Sequence, residues 1–82
     1  MSVKIYTTTL CPYCKNAKAL LNNKNISYEE INIEEKNMSR EELSKITGGM
    51  TVPQIVINDE AIGGYDNLWA LDQSGELEKK LN

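Results

Sequence analysis

One stretch constrains this chain more than any other: VKIYTT, residues 3–8, followed almost at once by LCPYCKNAKALL, residues 10–21. The first run is rich in β-branched and aromatic residues and reads as a strand. The second opens with Pro12, whose fixed φ and missing N–H suit the first position of a helix. Cys14, Ala17 and Leu21 then share an apolar stripe, with Leu20 beside it. The spacing predicts a helix over 12–24, ended by Asn25 in the left-handed conformation. A strand that feeds directly into a helix is the first half of a parallel, right-handed βαβ crossover.

The rest of the chain supplies the partners for that unit. ISYEEINI, residues 26–33, reads as the second strand. Ser39 and Glu42 have the spacing of a capping box, and Met38 and Leu43 that of a hydrophobic staple, so a second helix opens at Ser39. It is expected to end at Gly48 and Gly49. PQIVIN, residues 53–58, is a third strand, followed by the turn NDE and a short fourth strand at Ala61 and Ile62. A turn this tight implies an antiparallel hairpin. Gly63 and Gly64 break the chain. Asp66 is then expected to cap a third helix carrying Leu68, Trp69 and Leu71. Gly75 interrupts that helix before a last turn with Leu77 and Leu81. The order is βαβαββα: an α/β chain with a four-stranded mixed sheet and three helices flanking it.

Composition excludes several classes. Eighty-two residues support one core, so residues 1–82 are expected to form a single domain. No apolar run approaches the roughly 18 residues of a membrane span, and MSVKIYT lacks the apolar stretch of a signal peptide. A soluble, cytoplasmic protein with no membrane partner is the expectation. In that compartment a C-x-x-C is more often catalytic or metal-binding than a structural disulfide. Net charge is −3, yet residues 1–25 hold Lys4, Lys15, Lys18 and Lys24, while all 12 acidic residues lie beyond them. An acidic balance without basic runs between aromatics speaks against nucleic acid as a partner.

The only two cysteines, Cys11 and Cys14, can be read three ways. A structural zinc site needs four Cys or His ligands, and one chain with two Cys and no His falls short unless a dimer pools its thiolates. No metal is expected. An incidental pair is disfavoured because buried structural cysteines rarely open a helix behind a proline. The redox reading has a mechanism. Cys11 sits where unpaired N–H groups and the helix dipole favour an anion, and the thiolate is the attacking species. Cys14 lies one turn further on and is better shielded, placed to resolve a mixed disulfide by intramolecular attack.

Three motifs in order carry a family resemblance: CPYC at 11–14, TVPQI at 51–55 and GGYDNL at 63–68. With these motifs the chain resembles a glutaredoxin of the small bacterial dithiol class, over essentially its whole length. The resemblance implies the thioredoxin fold and glutathione as co-substrate. It implies that Val52, with Thr51 beside it, offers its backbone to the cysteinyl part of glutathione, and that the bond before Pro53 is cis. Read alone, Pro53 is a strand-start proline. Tyr65 and Asp66 would bind the γ-glutamyl end at the start of the third helix, with Gly64 allowing close backbone approach. Tyr13 would line the groove near the sulfur, and Arg40 would face the glycyl carboxylate. Many glutaredoxins carry a lysine three residues before the first cysteine, where this chain has Thr8. Either Arg40 takes more of that carboxylate, or Lys15 contributes field.

The resemblance further implies disulfide-bearing or glutathionylated proteins as partners, glutathione reductase acting through the glutathione pool, and a monomer. Two alternatives stand beside it. One is a carrier of a glutathione-ligated [2Fe–2S] cluster, which Pro12 disfavours. The other is a redoxin served by thioredoxin reductase, which the Arg40, Tyr65 and Asp66 pattern disfavours.

Overall fold

The strand-to-helix step falls where the sequence puts it. In the computed structural model, which describes residues 2–81, β1 spans Val3–Thr7 and α1 Pro12–Asn23. The chain continues through β2 (Glu29–Asn32), α2 (Arg40–Thr47), β3 (Gln54–Ile57), β4 (Glu60–Gly63), α3 (Tyr65–Ser74) and α4 (Glu76–Leu81). The sheet order is β2-β1-β3-β4, with β1 parallel to β2 and the other two pairings antiparallel. This is the α/β thioredoxin-like arrangement. Gly75 takes φ +81° and breaks the last helical stretch, and α4 beyond it is a six-residue helix rather than a single turn.

Alternation along β1 divides the core in two. Val3 and Ile5 join Ala17, Leu21, Ile55, Ile57, Leu68 and Leu77, so α1, α3 and α4 cover one face. Tyr6 points the other way, into a smaller cluster with Ile33 and Leu43 under α2. Of the three apolar residues expected on α3, Leu68 is fully buried, Leu71 half-buried and Trp69 exposed.

Local chemistry explains the element ends. Ser39 and Glu42 form the expected capping box, and Met38 packs against the cluster containing Leu43. Gly48 ends α2 at φ +83°. The hairpin turn places Asn58 at φ 50° and Asp59 at φ 68°, the pair of positive values that matches strand twist. The second strand starts later than its sequence suggests. Asn25 does end α1 with φ 58°, but the Ile26 N–H then bonds back to the Leu21 carbonyl at 2.9 Å. Its donor is used, and the ladder with β1 begins only at Glu29. Ile26 and Tyr28 pack on the larger core and Ile31 on the smaller. Pro53 has no N–H to offer, so β3 begins at Gln54.

Candidate active site

Cys11 is the N-cap of α1. Its backbone is extended, and its Sγ accepts the Cys14 N–H at 3.1 Å. Cys14 lies one turn on against the sheet, and the two cysteines are joined as a disulfide. Cys11 is the outer sulfur, with 7% of its surface exposed against 1% for Cys14. It is less open than sequence reasoning expects because a second segment lies over it. The Val52 carbonyl oxygen stands 3.8 Å from Cys11 Sγ, and the Val52–Pro53 peptide bond is cis.

Beside the cysteines runs a groove of about 460 Å³. One wall is the loop and strand start at Thr51, Val52 and Pro53. The other is the start of α3, with Gly64, Tyr65, Asp66 and Asn67. Tyr13, between the two cysteines in sequence, closes one end, with its ring centroid 6.3 Å from that of Tyr65. The groove thus brings together Tyr13, Thr51, Val52, Pro53, Gly64, Tyr65 and Asp66, seven residues that the sequence places in one site. Sequence reasoning missed Asn67. The signal available for it is Gly63, which holds φ +115° and whose added Cβ would stand 2.9 Å from Asn67 Cγ. Only a glycine lets the helix-start amide fold back over that turn.

Asp66 does not cap α3. The N-cap is Gly64, in an extended conformation, which makes no side-chain cap bond to the first turn. The helix opens with Tyr65, so Asp66 is already helical and cannot fold back as a cap does. The consequence is chemical: an exposed carboxylate and an uncapped helix N-terminus both border the groove.

Arg40 stands apart from the groove lining. It is the first residue of α2, and its Nη1 donates to the Met50 carbonyl at 2.9 Å. Glu34 lies nearby, its Oε1 accepting the Thr9 N–H at 2.9 Å. The backbone and hydroxyl of Thr9 hold the Glu34 carboxyl below the ordinary glutamate range, against a desolvation that opposes it, and the Arg40 charge adds to the shift. On the α1 face of the sheet, Glu30 Oε2 accepts from Thr7 Oγ1 at 2.8 Å and from Lys18 Nζ at 3.0 Å. Among the described residues, no group of three or more His, Cys, Asp or Glu side chains is placed to hold a metal ion. None of the helices described is long and apolar enough to cross a membrane.

Known proteins share both the sequence and this geometry. Residues 3–62 match the Glutaredoxin family. Glutaredoxin 3 of Escherichia coli (strain K12) is 49% identical over 80 residues, covering 98% of this chain and 96% of that protein. The crystal structure of a buckwheat glutaredoxin–glutathione complex superposes with a TM-score of 0.87 at 27% identity, over 96% of this chain and 74% of that one. Oxidized glutaredoxin 2 from Chlamydomonas reinhardtii gives a TM-score of 0.83 at 38% identity, over 98% of this chain and 78% of that one. With the cysteine pair at a helix N-terminus and the match running through most of its length, the chain belongs to the glutaredoxin family of thiol–disulfide oxidoreductases.

Proposed function

We propose that the protein reduces protein disulfides and glutathione mixed disulfides through Cys11 and Cys14, with glutathione as the reductant. The observation that carries this reading is the groove itself. A cysteine pair at the N-terminus of α1 adjoins a cleft whose far side is the uncapped N-terminus of α3. Next to the sulfur, that cleft offers a backbone edge and a helix end suited to a carboxylate, which fits a cysteine-containing peptide with acidic ends. The buckwheat relative, solved as a glutathione complex, supports it.

In the monothiol route the Cys11 thiolate attacks the glutathione sulfur of a mixed disulfide, expelling the substrate thiolate and forming a Cys11–glutathione disulfide. A second glutathione thiolate attacks that sulfur, releasing glutathione disulfide and restoring the Cys11 thiolate. In the dithiol route Cys11 attacks a protein disulfide and Cys14 attacks the resulting mixed disulfide. The substrate leaves as a dithiol and the Cys11–Cys14 disulfide remains, the state seen in this structure. Two glutathiones return it to the dithiol. Val52 supplies backbone contact to the cysteinyl part, with Thr51 and Pro53 shaping that edge. Tyr65 and Asp66 take the γ-glutamyl end, with Gly64 leaving room and Tyr13 covering the sulfur. Arg40 is the proposed contact of the glycyl carboxylate.

The partners of this chemistry are glutathione, disulfide-bearing or glutathionylated proteins, and glutathione reductase through the shared pool. The reaction needs a reduced glutathione pool, and the cytoplasm maintains one, so the cytoplasm is the proposed compartment. A single domain over 1–82, working as a monomer, is sufficient, since both sulfurs and the whole groove come from one chain. The test is NADPH oxidation coupled through glutathione reductase, with a small glutathione mixed disulfide as substrate. Turnover that requires both glutathione and this protein is expected. Turnover supported by thioredoxin reductase but not by glutathione would overturn the reading.

A further inference from the structure

The loop between α2 and β3 carries one wall of the groove, and side chains hold it along its length. Thr47 Oγ1 accepts the Gly49 N–H at 3.2 Å, and Arg40 Nη1 donates to the Met50 carbonyl at 2.9 Å. Gln54, the first residue of β3, braces the next step. It is buried, with 4% of its surface exposed, yet its Nε2 donates to Thr51 Oγ1 at 3.3 Å. Gly49 closes over the same amide. A Cβ at Gly49 would stand 2.6 Å from Gln54 Nε2, so a larger residue there would push the amide out of place. Thr51 itself is exposed and lines the groove, whereas Gln54 lies outside that lining.

We propose that Gln54 is a positioning residue for the groove. Its amide occupies the Thr51 hydroxyl oxygen and turns the hydroxyl hydrogen toward the bound peptide, as a donor to one of its carbonyl or carboxylate oxygens. The inference deepens the glutathione reading and rests on it. A hydroxyl oxygen that accepts from an N–H keeps its own hydrogen to give, and that hydrogen points away from the N–H. A buried amide left without its partner is costly, so the bond persists while ligands come and go. The Thr51 side chain thereby gains a role beside that of the Val52 backbone. A neutral hydrogen bond of this kind changes affinity by a modest factor, about two- to tenfold.

Gln54→Met and Thr51→Val, made singly and together, test this. Methionine keeps the length of the buried side chain, and valine keeps the shape of the exposed one. KM and kcat are measured for a small glutathione mixed disulfide at saturating glutathione. Thr51→Val is expected to raise KM about two- to tenfold with kcat unchanged, and Thr51→Ser, which keeps the hydroxyl, to hold the original KM. Gln54→Met should raise KM about two- to threefold, but not when Thr51→Val is already present, since no hydroxyl remains to be oriented. Gln54→Glu is a second variant with the same shape and no N–H. It should raise KM more beside Thr51 than beside Thr51→Val, because a carboxylate turns the hydroxyl inward. A KM that Gln54→Met leaves unmoved overturns the proposal. So do equal rises in both backgrounds for either Gln54 variant, which would make Gln54 only a prop for the loop. If the unsubstituted protein turns over the mixed disulfide and Thr51→Val keeps its KM, this proposal alone falls. If the unsubstituted protein shows no turnover with glutathione, the glutathione reading falls with it.

Discussion

Replacing Ser39 by alanine should loosen the end of α2 that carries Arg40. Ser39 Oγ accepts the Glu42 N–H at 3.1 Å, and Glu42 Oε1 accepts the Ser39 N–H at 3.1 Å. Only the first bond is lost in Ser39→Ala, because the second uses a backbone N–H that alanine keeps. The cost is therefore that of one N-cap, about 1 kcal/mol within a usual span of roughly 0.5–2. An eight-residue helix has little internal cooperativity to absorb it. In a domain of this length, about 1 kcal/mol corresponds to a fall of about 4–8 °C in Tm. Ser39→Gly should cost only a few tenths of that energy, and Ser39→Asp should be near neutral, since it restores an acceptor and adds a charge suited to a helix N-terminus.

Thermal unfolding followed by far-ultraviolet circular dichroism reads the series. The same variants report on the site, because Arg40 is the first residue of the turn that the cap holds. Fraying of that turn releases the guanidinium from Met50, so KM for a glutathione mixed disulfide should rise in Ser39→Ala while kcat holds. A Tm within about 1 °C of the unsubstituted protein would refute the assigned cap strength. A loss in Ser39→Gly as large as in Ser39→Ala would show that something other than the hydroxyl bond is at work.

Cys14→Ser should retain turnover of a glutathione mixed disulfide and lose most turnover of a protein disulfide, whereas Cys11→Ser should lose both; abolition of both by Cys14→Ser would reverse the roles. Asp66→Asn should raise KM for glutathione substrates with little change in Tm, because Asp66 caps nothing and lies exposed on the groove. A large stability loss without a KM change would return it to a structural role. Burial works against the Glu30 carboxylate, but the hydrogen bonds from Lys18 and Thr7 and the Lys18 charge outweigh it and hold the group below its ordinary 4.5. A depressed carboxyl contributes stability that is complete above the ordinary value and lost as pH falls below it. Glu30→Gln should therefore flatten the acid-side fall of the urea midpoint below pH 4.5, and superimposable acid limbs for the two proteins would count against this.

What can be read from this sequence is whatever closes within one turn or one motif. Ser39 and Glu42 find each other across a single helical turn, Pro12 brings the φ that the first position of α1 needs, and Asn58 and Asp59 take the positive φ values of a tight turn. The groove is legible for another reason: its walls are short motifs, and the element order brings them side by side. Contacts between polar side chains far apart in sequence leave no such trace. Thr7 meets Glu30 across 23 positions and Thr9 meets Glu34 across 25, with neither pair marked by periodicity. The misreading of Asp66 has a local cause, since Gly64 can serve as cap with backbone alone and lets α3 begin two residues early. Arg40 shows both halves at once. Its place at the start of α2 follows from the capping box, but its partner Met50 is decided by how the loop after α2 folds back. The shape of the groove therefore follows from motifs, while the charge at its edge depends on tertiary contacts, and substitutions outside every motif are the ones expected to tune affinity without touching the sulfur chemistry.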